Sequence, residues 1–180
     1  MSRVVLTALH GLIATLGAIS VASADTGRAL LDLATCHGST LPAAALDGEG
    51  EGADRLADIA RVFDELSDPD RFAPSDEYPG FWAPTDGTEV VGFAVQYLGL
   101  SGYGIFEGPS LVLLGAFDEV RGALADEASV DYGDCRADGL LKVCTKEVAS
   151  NQSRLVMSHP TDPAERTVLV CVENAKELRE

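Results

Sequence analysis

Three histidines, four cysteines and one serine set among glycines are the raw material for nucleophilic chemistry in this 180-residue chain. A weak nucleophile needs a base within hydrogen-bond reach. His10 lies inside an apolar N-terminal run, which leaves His37 and His159 as bases. Ser101 stands in Gly99-Leu100-Ser101-Gly102-Tyr103-Gly104, but Tyr103 occupies the place where a nucleophile elbow requires its last glycine. The segment therefore reads as a glycine-rich turn between two buried strands. Cys36 and His37 are neighbours in sequence, and side chains at successive helical positions diverge. His159, followed by Pro160, reads as a turn residue at a strand end. Glu107 and Asp118 flank a predicted buried strand and are a carboxylate pair only if the fold brings them together.

Metal and phosphate chemistry are argued from spacing. Asp47, Glu49 and Glu51 fall at positions 1, 3 and 5 of an EF-hand-like loop, with Gly52 at 6 and Asp58 at 12. Glu stands where the shorter Asp or Asn is usual, the last ligand is Asp, and no clear helix leads in. The tract reads as a solvated acidic link, and calcium as the weaker reading. The glycines after Gly99 match neither a dinucleotide fingerprint nor a P-loop, and no lysine follows them closely. No cofactor is expected.

The four cysteines, Cys36, Cys135, Cys144 and Cys171, include no Cys-x-x-Cys pair, which disfavours zinc. Two disulfides are expected instead, in one of three connectivities, of which Cys135–Cys144 with Cys36–Cys171 is favoured. The first would staple a hairpin turning at Ala137-Asp138-Gly139, and the second would tie an N-terminal helix to the last strand.

Disulfides require an oxidising compartment, and the N-terminus points to one. Arg3 is followed by no charge until Asp25; the run between is apolar and ends in Ser20-Val21-Ala22-Ser23-Ala24. This is the form of a secretory signal cut after Ala24, which predicts a signal peptide over 1–24 and one disulfide-stapled domain over 25–180. That domain carries 12 basic and 29 acidic residues, a formal charge of −17. Such a charge repels phosphate backbones and anionic lipid headgroups, and attracts basic proteins. Nucleic-acid partners and a membrane anchor after cleavage are accordingly not expected.

Elements that would position these groups follow from apolar periodicity. Thr26 caps a helix with Ala29, Leu30, Leu33 and Ala34 on one face, ending at Cys36-His37-Gly38. A second helix runs over 54–66 through Leu56, Ile59, Ala60, Phe63 and Leu66. The stretch from Ser67 to Thr88, with Pro69, Pro74, Pro79 and Pro84, reads as a long connection. Val91, Phe93, Val95 and Tyr97 alternate as a strand, and Leu111 to Ala116 is a buried strand. A helix through Val120 and Leu124 comes next, then three alternating strands over 140–148, 154–158 and 167–173. The order predicts an α+β fold: two N-terminal helices, a mainly antiparallel sheet of about five strands, and one further helix inserted after the second strand.

Within the proline-rich connection, Tyr78, Phe81 and Trp82 are large rings held by stiff neighbours, and such rings are favoured interface anchors. The functional expectation is an exported acidic binding module engaging a basic secreted protein or peptide through Tyr78, Phe81 and Trp82. The alternatives are a small secreted hydrolase using carboxylates or His159, and a structural component of the envelope.

Overall fold

A strand of alternating apolar residues needs cover on one face, and a strand apolar on both sides needs it on two. The computed structural model describes residues 26–37, 64, 68, 70–99, 102–104, 106–138, 140–149, 152–158 and 165–173. Residues 26–34 form helix α1. The strands that follow are β1 (Phe72–Pro74), β2 (Phe81–Pro84), β3 (Glu89–Val90), β4 (Phe93–Gly99), β5 (Gly102–Tyr103), β6 (Phe106–Glu107) and β7 (Ser110–Leu114). Helix α2 (Phe117–Ala128) leads to β8 (Cys135–Asp138), β9 (Leu141–Ala149), β10 (Gln152–Ser158) and β11 (Arg166–Glu173).

All pairings are antiparallel. Eight strands lie in the order β1-β2-β4-β7-β11-β10-β9-β8, β3 adds a ninth beside β4, and β5 with β6 makes a separate ribbon. This corrects the predicted fold class. The molecule is built on a nine-stranded antiparallel sheet, not on an α+β arrangement of two N-terminal helices and about five strands. Of the helix predicted over 54–66, only Asp64 is described.

The extra strands were hidden for a physical reason. β1, β2, β3 and β8 are two to four residues long, too short for a period of two to stand out. β1 and β2 also end in Pro74 and Pro84, residues tolerated at strand ends near a sheet edge because no ladder N–H is needed there. The predicted proline-rich connection is thus largely sheet.

One register row crosses the whole sheet. Pro74, Trp82, Leu98, Leu111, Leu169, Val156, Cys144 and Cys135 are successive partners from β1 to β8. Partners directly opposite share a face. This face carries the larger core, in which Leu98, Leu111, Leu113, Val156 and Leu169 pack with Ala29, Leu30, Leu31 and Ala34 of α1 and with Phe117, Val120 and Leu124 of α2. The other face gathers Val112, Val143, Leu155, Met157, Val168, Val170 and Val172. The central strands are therefore buried on both sides.

Local chemistry explains the element ends. Cys36 sits at φ 62°, and the amides of Cys36 and His37 donate to the carbonyls of Leu33 and Asp32. That is the Schellman closure, with Cys36 rather than the expected Gly38 in the left-handed position. Val91 (φ 45°) and Gly92 (φ 78°) make the two-residue turn between β3 and β4, so the predicted alternation starting at Val91 is broken there. Gln96 is an extra residue in β4 relative to β7, and this bulge puts Tyr97 on the face opposite Val95.

Cys36 is bonded to Cys171, with Cα atoms 5.0 Å apart, and Cys135 to Cys144, with Cα atoms 4.0 Å apart. Cys171 is met by the covering helix α1, and Cys144 by the neighbouring strand β8. Cys144 and Cys171 point away from the face that carries Val143, Val170 and Val172. That side is no less buried: Cys144 and Cys171 are 0% and 2% exposed beneath the helical layer.

Candidate binding surface

The hairpin from β1 to β2 builds the surface. Tyr78-Pro79-Gly80-Phe81 is a turn closed by the Phe81 amide donating to the Tyr78 carbonyl at 3.1 Å, with Gly80 at φ 85°. Proline at the second position and a left-handed glycine at the third are the requirements of a type II turn. The Ser75 hydroxyl accepts from the Tyr78 amide at 3.0 Å, and the Ser75 amide donates to the Phe81 carbonyl at 2.8 Å. The rings are thus carried on a tied loop.

Phe81 and Trp82 are adjacent in a strand and so face opposite ways. Phe81 lies opposite Gly99, on the valine-rich face, while Trp82 lies opposite Leu98 on the helix-covered face. The structure brings Tyr78 and Phe81 together, with ring centroids 6.0 Å apart, and sets Trp82 apart from them. Two further rings complete a row. Tyr97 lies 5.2 Å from Tyr78, and Tyr103 of β5 lies 6.0 Å from Phe81, each edge-on. Edge-to-face contacts of this kind contribute roughly 0.5–1.5 kcal/mol each beyond burial.

Gly99 makes the row possible. A Cβ there would sit 2.6 Å from both the Phe81 ring and the Ser110 hydroxyl. The glycine read from sequence as part of a turn is instead the floor over which Phe81 lies. The ribbon β5–β6 follows it and adds Tyr103 and Phe106 to the same side.

Polar groups rim one end of the row. The Tyr97 hydroxyl donates to Glu77 Oε2 at 3.0 Å, and Arg166 Nη1 donates to the Tyr78 hydroxyl at 2.7 Å. Arg166 Nη1 also lies 3.5 Å from Glu77 Oε1. Burial, then the hydrogen bond and negative charge of Glu77, raise the Tyr97 pKa above its ordinary value, so its hydroxyl stays a donor at neutral pH. All four rings are half-buried, and Asp76 and Glu77 of the connecting loop are exposed, whereas the exposed Asp70, Asp86 and Glu89 lie at the other end of the hairpin, toward α1. Arg71 is bound inside that region, 3.3 Å from Asp86 and donating to the Thr26 hydroxyl of α1 at 3.1 Å.

Tyr97, Tyr103, Glu77 and Arg166 were missed from sequence. Tyr97 was read as a strand residue in phase with Val95, and only the bulge at Gln96 turns it toward Tyr78. Arg166 lies 88 residues from Tyr78, a separation no local pattern spans.

Asp32 is buried and holds His37 Nδ1 at 3.1 Å, with Arg28 Nε at 3.4 Å. This Asp–His pair is also new relative to the sequence reading, but the adjacent Cys36 sulfur is consumed in its disulfide. Asp118 pairs with Lys142 Nζ at 2.7 Å. His159 and the acidic tract Asp47, Glu49, Glu51 and Asp58 lie outside the described residues. Among the described residues no three His, Cys, Asp or Glu side chains are grouped to hold a metal, and no helix is long and apolar enough to cross a membrane. Compared with known proteins, the chain matches no family model, no curated protein and no solved structure at a significant level.

Proposed function

We propose that this chain is an exported acidic binding module whose partner is a basic protein or peptide outside the cytoplasm. The observation that carries the reading is the half-buried ring row Tyr97–Tyr78–Phe81–Tyr103, bordered by exposed Glu77 and its neighbour Asp76. Rings on a tied loop offer contact area at little cost in conformational entropy. A net charge of −16 over the whole chain steers cationic partners, and cationic side chains are attracted to aromatic faces. The leader-like N-terminus and the two disulfides support the extracytoplasmic setting.

The test is capture from an extracytoplasmic extract by the disulfide-bonded chain at low salt, with elution by a salt step. A basic protein in stoichiometric amount is expected, together with an association rate that falls between low and physiological ionic strength. Tyr78→Ala should weaken capture at least tenfold, whereas Trp82→Ala, on the other face, should leave it within threefold. An empty eluate from folded protein, or a rate indifferent to salt, refutes the reading.

A further inference from the structure

The two disulfides differ in what surrounds them. Cys36 and Cys171 are 1% and 2% exposed, shut between α1 and β11. Cys144 is likewise 0% exposed, but Cys135 is exposed, as are Arg136 and Ala137 beside it. Cys135 and Cys144 are directly opposed partners, so their bond runs across the ladder between β8 and β9. β8 is the last strand of the sheet. Thiol–disulfide exchange requires the attacking sulfur to approach along the extension of the S–S axis. Cys135 stands exposed on the last strand of the sheet, open to such an approach, whereas Cys144 is buried on β9.

We propose that Cys135–Cys144 is a reducible latch, opened by an external dithiol at Cys135 Sγ, and that its opening releases β8 from the sheet edge. The dithiol's thiolate bonds to Cys135 Sγ as the bond to Cys144 breaks, and Cys144 Sγ leaves with the electron pair. The dithiol's second thiol gives Cys144 its proton and then, as a thiolate, displaces Cys135 from the mixed disulfide. Cys135 takes a proton from water. Two electrons and two protons have passed to the protein, and the dithiol is oxidised to its own disulfide. Lys142 and Lys146 stand two residues to either side of Cys144 on the same face, each ion-paired, to Asp118 and Asp131 respectively. They are the cations nearest along β9 to the leaving sulfur, and positive charge favours a thiolate.

Release of β8 follows from how little else holds it. Four residue pairs join it to β9, no strand among the described residues pairs with its outer side, and three of its residues are exposed. Edge segments with few buried contacts open first in native proteins.

The experiment treats the folded, full-length protein with dithiothreitol under native conditions, alkylates the free thiols and maps them by peptide mass. Cys135 and Cys144 should be labelled at least tenfold faster than Cys36 and Cys171, with the far-ultraviolet circular dichroism of the sheet retained. Amide hydrogen exchange should then rise at least tenfold in β8 and at the β9 amides facing it, with α1 and β11 unchanged. The Cys135→Ser/Cys144→Ser variant should show the same exchange without dithiol. Labelling of all four cysteines together, only as the sheet unfolds, overturns the proposal. Selective labelling with β8 exchange unchanged overturns the release.

Discussion

Replacing both residues of one disulfide by alanine tests how the chain is held together, and the two bonds predict different losses. Cys36 and Cys171 are separated by 135 residues, Cys135 and Cys144 by 9. A crosslink restricts the unfolded chain by an entropy that grows with the logarithm of loop length. On that relation the long closure contributes about 5 kcal/mol and the short one about 3 kcal/mol at 25 °C. Folded-state packing acts in the same direction, because both sulfurs of the long closure are buried and only one of the short. Each kcal/mol shifts the melting temperature of a domain of this size by roughly 2–4 °C. Cys36→Ala/Cys171→Ala should therefore melt about 10–20 °C lower than the parent, and Cys135→Ala/Cys144→Ala about 6–12 °C lower. The assay is thermal and urea unfolding followed by circular dichroism in non-reducing buffer, with both variants at one protein concentration. Equal losses, or a larger loss from the short closure, would refute the argument that loop entropy dominates and that α1 depends on its tie to β11.

Gly99→Ala forces a Cβ to within 2.6 Å of the Phe81 ring and Ser110 Oγ. Overpacking of that kind costs about 1–3 kcal/mol, so the urea midpoint should fall; a change below about 0.5 kcal/mol would mean the Phe81 ring does not lie across β4. The Tyr132 hydroxyl is buried and has no hydrogen-bond partner, so Tyr132→Phe should leave stability at pH 7 unchanged or raised by up to about 1 kcal/mol. Burial raises the folded-state pKa of Tyr132 above its ordinary 10.0. Its ionisation therefore leaves stability unaffected below pH 10 and lowers it as pH rises from there toward the folded pKa. Urea midpoints between pH 9 and 11.5 should fall less steeply for Tyr132→Phe than for the parent, and identical slopes would contradict the assignment.

Apolar periodicity located several of the longer elements, though not the register within β4. The runs at β4, β7, β9, β10, β11 and α2 could be read because several side chains repeat toward one core. The cysteine pairs were also within reach. The turn signal Ala137-Asp138-Gly139 favoured Cys135–Cys144 among three connectivities, and the fold decided for it and for Cys36–Cys171. Composition likewise carries the charge, because charge is a count and needs no coordinates.

What the tertiary structure alone decided is which short segments pair and which way their side chains face. Three-residue β1 and four-residue β2 carry too few side chains to show a period, and their prolines imitate a loop; they become strands because β4 offers β2 a free edge. The candidate binding surface depends on the same kind of fact. Adjacent rings such as Phe81 and Trp82 look like one anchor in a linear sequence and are divided between two faces once β2 joins the sheet. Tyr97 joins Tyr78 only because one extra residue, Gln96, reverses the parity of β4. Parity and pairing are relations between distant segments, whereas periodicity belongs to one segment, and that is why the first needed the fold and the second did not.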